Sequence, residues 1–249
     1  MRSDSISTRL PDSPQRWPAD AFPAGPTLGA AAGLIFVYFI TLATLGRAFH
    51  LSAASVRAGH LTAGVVEVQL LGYIPVVIYL CVVLPRLARL PLSAIFGGFG
   101  GAQIAFGLTG TMMMWLAVFC TGVLQSTFVH HAPQQLAIRL FENAPRGPLV
   151  AALSFIAVAL APFSEELVFR GFVFNALRRR MSFGWAASLS GLIFGAAHGE
   201  PVGVIPLAAG GVALAYVYAR SGSLWSSIVA HGTFNAITLA LLLLAGIKT

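Results

Sequence analysis

Charge is what this chain has least of: Asp, Glu, Lys and Arg make up 9% of its 249 residues, against 57% hydrophobic. A water-soluble domain carries about a quarter charged residues. The polar side chains needed to cover a soluble globule are missing, so the sequence reads as a polytopic membrane protein with the bilayer as its solvent. Lysine is scarcer still. Lys248 is the only one, and the formal net charge of +7 is carried by arginine. In a soluble protein that excess would suggest nucleic acid. Here the arginines fall between apolar runs, as the cytoplasmic bias of basic residues leads one to expect, and no nucleic-acid partner is expected. Cysteine is limited to Cys81 and Cys120, both inside apolar runs, where thiols fill space more often than they form a bridge. No CxxC spacing is present. The N-terminus, 1–26, is rich in Pro, Ser, Asp and Arg and lacks the short apolar core of a signal peptide. It is expected to be a mobile cytoplasmic tail.

Long apolar runs are abundant, at 27–45, 61–85, 102–124, 148–177, 184–199, 201–219 and 224–246. They predict an all-α, polytopic transmembrane helical bundle of seven spans, or eight if the fourth run divides. As one helix that fourth run would extend ~45 Å, more than the ~30 Å hydrocarbon thickness. Pro162 lies in its middle and removes a backbone donor, so a kink is expected there. The chain then divides into the tail, N-terminal transmembrane helices over 27–147, and a C-terminal helix core over 148–249.

Arginine also sets the orientation. The cluster Arg178, Arg179 and Arg180 places its loop in the cytoplasm. Alternating outward, Arg2, Arg9, Arg16, Arg86, Arg89 and Arg220 join it, whereas Arg47, Arg57, Arg139, Arg146 and Lys248 fall on the far side. With intramembrane Arg170 left out, that is nine against five. Segment 125–147 has mixed polarity, and its adjacent His130 and His131 point about 100° apart on a helix. An interfacial helix is one reading of it; a surface loop suits it better than a metal site.

Three polar constellations lie in the last hundred residues. In Ser164-Glu165-Glu166-Leu167-Val168-Phe169-Arg170-Gly171, two carboxylates stand at membrane depth, each costing several kcal/mol unless paired or protonated. Glu166 and Arg170 are four apart and can pair on one face. Glu165 points about 100° away, without a local counter-charge, as suits a general base. For a lone Glu–Arg pair, a structural role in holding helices together would be the better reading. In Phe194-Gly195-Ala196-Ala197-His198, Gly191, Gly195 and Gly199 recur at a spacing that lets a neighbouring backbone approach closely and brings His198 toward another helix. A histidine merely capping a helix end is an equal alternative for His198 alone. In His231-Gly232-Thr233-Phe234-Asn235, two polar residues share a face one turn apart and could serve as donors to an oxyanion or as interhelical glue. Depth separates these readings. Counted from the expected cytoplasmic helix ends, Glu165 lies ~20 Å down, His198 ~22 Å, His231 ~12 Å and Asn235 ~18 Å. Polar groups on three helices that converge in one slab point to a site.

The ordered triple Glu-Glu-x-x-x-Arg, Phe-x-x-x-His and His-x-x-x-Asn resembles the CPBP intramembrane endopeptidases, a family named for CAAX proteases and bacteriocin-processing enzymes. Pro162-Phe163-Ser164, Phe169-Arg170-Gly171 and Arg220-Ser221-Gly222-Ser223-Leu224-Trp225 add to the resemblance, which covers 149–244. It implies peptide-bond hydrolysis, with Glu165 and His198 activating water, His231 and Asn235 forming the oxyanion hole, and Glu166 and Arg170 in support. It also implies a membrane-bound peptide or protein substrate: a prenylated CAAX-type tail, a leader peptide or a membrane-bound regulator. A zinc site on Glu165, His198 and His231 is the metalloprotease alternative. The His-Glu-x-x-His helix of soluble zinc proteases is absent and amides are poor zinc ligands, so a cofactor-free mechanism is favoured. Two other classes compete: a transporter using the buried carboxylates together with Glu67 and Gln69, against which no internal repeat is seen, and a non-catalytic membrane scaffold. The composition suggests a bacterial inner-membrane protein with a cytoplasmic N-terminus.

Overall fold

The computed structural model describes residues 61–83, 96–129, 136–142 and 147–245, with single positions between 33 and 48 and at Arg86 and Ser93. The tail, most of the first apolar run, Arg57, Arg89, His130, His131, Gln134, Gln135, Arg146 and Lys248 lie outside the described residues. Among those described there are seven helices and no strand. They are α1 (Ala63–Ile78), α2 (Gly101–Ser126), α3 (Leu136–Glu142), α4 (Pro148–Arg178), α5 (Phe183–Ala197), α6 (Val204–Ser221) and α7 (Leu224–Ala245). Among the described residues, five spans are long and apolar enough to cross a bilayer: α1 with its π-helical extension to Val82, α2, α4, α6 with the 3₁₀ turn Pro201–Gly203 before it, and α7. The protein is a helical integral membrane protein.

Packing follows small residues. α6 lies against α5 and α2, α2 against α7, and α7 against α4. A Cβ on Gly191 would stand 2.6 Å from the Ala208 carbonyl, and one on Gly195 would collide with the Val204 carbonyl, so α5 and α6 touch backbone to backbone. The expected close approach is therefore made by two of the three glycines. Gly199 has a different task. Its φ of +71° is one that L side chains rarely adopt, and it ends α5 just past His198. With 15 residues, α5 spans ~22 Å, short of the ~30 Å hydrocarbon thickness, so the fifth apolar run does not cross alone. His198 ends this short helix.

The fourth run does not divide; α4 is continuous over 31 residues. Pro162 acts by widening it. Just before the proline the helix runs as a π turn, Ile156–Leu160, and the Ala161 N–H donates to the Ile156 carbonyl five residues back. Continued by one residue, that pattern would pair the Ala157 carbonyl with the N–H of Pro162, which proline lacks. The carbonyl is left for an outside donor. A second π stretch covers Leu167–Phe174.

The two ends of the bundle are tied separately. At one, the Ser223 hydroxyl donates to the carbonyls of Phe96 (3.1 Å) and Gly98 (2.6 Å), and Arg178 lies over the Phe183 ring. At the other, the Gln125 amide donates to the Val202 carbonyl at 2.7 Å. Segment 125–147, read above as a surface loop, contains α3, whose Leu140 and Phe141 are buried beside Leu153 and Leu239. The two apolar residues gain more from burial than a solvated loop would give them. Both cysteines are free, and Cys120 faces outward rather than filling the core.

Candidate active site

The site assembles on α4 at the junction of its α-helical turn Ala161–Glu166 with the π stretch. Glu166 and Arg170 are wholly buried and pair at 2.8 Å between Oε1 and Nη1. A buried charge costs several kcal/mol unless hydrogen bonds replace its water. Arg170 finds two further partners: Nη2 donates to the Gly211 carbonyl at 2.9 Å, and the guanidinium lies 4.7 Å from the centre of the Phe194 ring. Glu166 Oε1 also accepts from His231 Nδ1 at 3.0 Å. Since a carboxylate can only accept, His231 carries a proton on Nδ1, and its other nitrogen, Nε2, is the one turned outward.

That nitrogen faces Glu165. The distance from His231 Nε2 to Glu165 Oε2 is 3.9 Å, too long for a direct hydrogen bond and suited to a shared group between them. Glu165 keeps 20% of its side chain accessible, whereas Glu166 keeps none. Its second oxygen, Oε1, accepts a 3.1 Å hydrogen bond from the Tyr73 hydroxyl of α1. The carboxylate that lacks a partner on its own helix is thus held by tertiary contacts.

His198 and Asn235 are anchored differently. His198, exposed at the end of α5, donates from Nδ1 to the Phe194 carbonyl at 2.9 Å, which leaves Nε2 as the free nitrogen. The Phe194 ring stands 4.8 Å from the His198 ring and 5.7 Å from that of His231, edge-on to both, so one phenyl group separates the two imidazoles. Asn235 Nδ2 donates to the Ala157 carbonyl at 2.8 Å, the acceptor that Pro162 and the π turn leave free. One N–H and the amide oxygen remain for other partners. A Cβ on Gly232 would stand 2.7 Å from the Val158 carbonyl, so α7 lies directly on the widened turn.

The structure therefore brings Glu165, Glu166, Arg170 and His231 into one connected cluster, places His198 next to it across Phe194, and turns Asn235 to the same helix one turn further along. Two contributors escaped the sequence reading. Tyr73 lies 92 positions from Glu165, and nothing in its local sequence marks it as a partner. Phe194 is part of a motif, but its place between two histidines and an arginine is a tertiary fact. Glu67, which a cation pathway would use, is exposed near the start of α1.

Among the described residues, no group of three or more His, Cys, Asp and Glu side chains is arranged to hold a metal ion. His231 Nδ1 is engaged by Glu166, and Asn235 by a carbonyl.

Fold and cluster together define a helical membrane protein with carboxylates, an arginine and a histidine gathered inside the bundle, to which comparison with known proteins can be added. Residues 147–237 match the family described as type II CAAX prenyl endopeptidase Rce1-like. Over 88 residues the chain is 34% identical to the Bacillus subtilis (strain 168) protein named "Putative membrane peptidase YdiL", a match covering 35% of each chain. The similarity thus spans about a third of that relative's length. No solved structure matches. These findings support the resemblance to CPBP proteases that the motifs carry.

Proposed function

We propose that the protein is an intramembrane endopeptidase whose catalytic core is 148–249. The observation that carries this reading is the pair Glu165 Oε2 and His231 Nε2, 3.9 Å apart, with the remaining polar atom of each side chain held by Tyr73 and Glu166. Glu165, together with His198, takes a proton from water as the oxygen attacks the scissile carbonyl. His231 donates from Nε2 as the doubly protonated ring, its Nδ1–H kept by Glu166, and with the second N–H of Asn235 it receives the negative charge that forms on the carbonyl oxygen. The proton then passes to the leaving amine, and the C–N bond breaks. Glu166 and Arg170 hold the His231 ring in place. No metal takes part in this scheme. The substrate is a peptide or protein held at the membrane, a prenylated CAAX-type tail or a leader peptide.

On the arginine bias, the end of the bundle that carries Arg178, Arg179, Arg180 and Arg220 is the cytoplasmic face of a bacterial inner membrane, and the site is expected to be reached from it. A cytoplasmic N-terminus is the expectation that follows from the same arginine count. Two experiments test the proposal. Proteomics of cells expressing the wild type or Glu165→Gln should reveal membrane peptides cut only by the wild type; identical peptide profiles sink the enzyme reading. Ala161→Cys, Ala197→Cys and Thr233→Cys, in a background lacking Cys81 and Cys120, should react with an impermeant thiol reagent in inside-out vesicles and much less in right-side-out ones. Labelling from the outside alone inverts the orientation.

A further inference from the structure

From the contact between α1 and α4, we infer that Tyr73 is a positioning residue for the general base, so that the site is completed by a helix outside the segment 147–237 that matches the endopeptidase family. The inference rests on the proposed role of Glu165. A carboxylate on a single helix is free to rotate about its terminal torsion and present either oxygen to a neighbour. Here the two oxygens are made unequal. Oε1 accepts the Tyr73 O–H at 3.1 Å, and Oε2 is left facing His231 at 3.9 Å.

Tyr73 is itself fixed. Its ring is 7% exposed and packs in the cluster of Leu61, Val65, Leu153 and Ile156, which joins α1 to the N-terminal half of α4. Gly72 beside it is buried, and α1 lies against α4 on both sides of the first π turn. A phenol needs a partner when buried, and a carboxylate that is to attract a proton needs a defined orientation. One bond meets both needs. It also makes α1 responsive: a substrate or partner that shifts α1 along α4 would release Oε1 and misalign the base, though the rest of the cluster, all on α4, α5 and α7, stays intact.

The test uses the full chain in nanodiscs. Tyr73→Phe removes only the hydroxyl. It should lower kcat by about tenfold, the scale of one hydrogen bond to a charged group, with KM unchanged. In a Glu165→Gln background the same substitution should change nothing further, because its effect runs through Glu165. A purely structural tyrosine would instead lower both enzymes by the same factor, and that result overturns the inference. A second readout needs no activity. Dicyclohexylcarbodiimide, a hydrophobic carboxyl reagent, should modify Glu165 about tenfold faster in Tyr73→Phe than in the wild type, as followed by mass spectrometry. Equal rates mean that the bond does not hold the carboxylate and also overturn the inference. Should the wild type cut no peptide, the endopeptidase reading fails, while the labelling rates still decide whether Tyr73 positions Glu165.

Discussion

On one face of α4, Glu166 is wholly buried and shares a single oxygen between Arg170 and His231. On the adjoining face, one residue earlier, Glu165 is partly accessible and confronts His231 across 3.9 Å. The same side chain, one position apart, thus meets two surroundings. The Glu166 side is crowded and largely satisfied, though its Oε2 and the Nε of Arg170 have no partner among the described residues. The Glu165 side keeps one carboxylate oxygen without a direct hydrogen bond to His231 and part of the side chain accessible. Buried ion pairs contribute little net stability compared with apolar packing, but each leaves a stranded charge if its partner is removed. The Glu166 face is therefore expected to fail through folding, and the Glu165 face through rate.

The largest effect should come from breaking the crowded face. Arg170→Ala leaves Glu166 buried without its counter-charge, which costs about 3–5 kcal/mol. Thermal unfolding in detergent should show a clear loss, and adding Glu166→Gln should recover part of it. Strictly additive losses would mean that the two residues act independently, and the contrast between the faces would weaken. On the open face, Glu165→Gln should leave unfolding near that of the wild type while lowering turnover by at least ~10²-fold. Near-normal turnover with a purified, folded variant would remove Glu165 from the chemistry.

How far the sequence foretells this arrangement depends on the reach of each interaction. Helix positions were legible from apolar runs because a bilayer demands them; α1, α2, α4, α6 and α7 fall where those runs do. The Glu166–Arg170 pair was legible because four residues on one helix fix their geometry. Contacts between helices were not. Tyr73 with Glu165 and His231 with Glu166 depend on how α1 and α7 slide and rotate against α4, and no local spacing encodes that. Pro162 shows the middle case. Its missing N–H was readable, but that α4 would widen rather than break follows from α7 lying close enough to supply Asn235 as the substitute donor.

Asn235 offers a smaller and more discriminating test, because its bond to Ala157 is the interhelical glue foreseen as the alternative to catalysis. Asn235→Ala strips the Ala157 carbonyl of its partner, a loss of about 1–3 kcal/mol if that were all. An oxyanion donor adds a loss in kcat of ~10²–10³ that stability cannot explain. Both are expected. Measured at a temperature where the variant is fully folded, an unchanged kcat would confine Asn235 to holding α7 on the widened turn of α4. The oxyanion would then fall to His231 alone.

The smallest expected effect is no effect, and it bears on the whole cluster. A catalytic zinc site needs three protein ligands converging on one point with a fourth position open. In this cluster Phe194 stands between the two imidazole rings, and Asn235 has given an N–H to a carbonyl. Those commitments suit side chains that exchange protons and donate hydrogen bonds in fixed directions. Activity of the purified protein should therefore survive exhaustive dialysis against EDTA, with well under one zinc per chain by elemental analysis. Loss on chelation and recovery with zinc alone would mean that Nε2 of His198 and Nε2 of His231 converge on one ion with Glu165, with Phe194 moved from between the two rings. The 3.9 Å gap between Glu165 and His231 would then be the distance that a ligand set closes, rather than the one that a water molecule bridges.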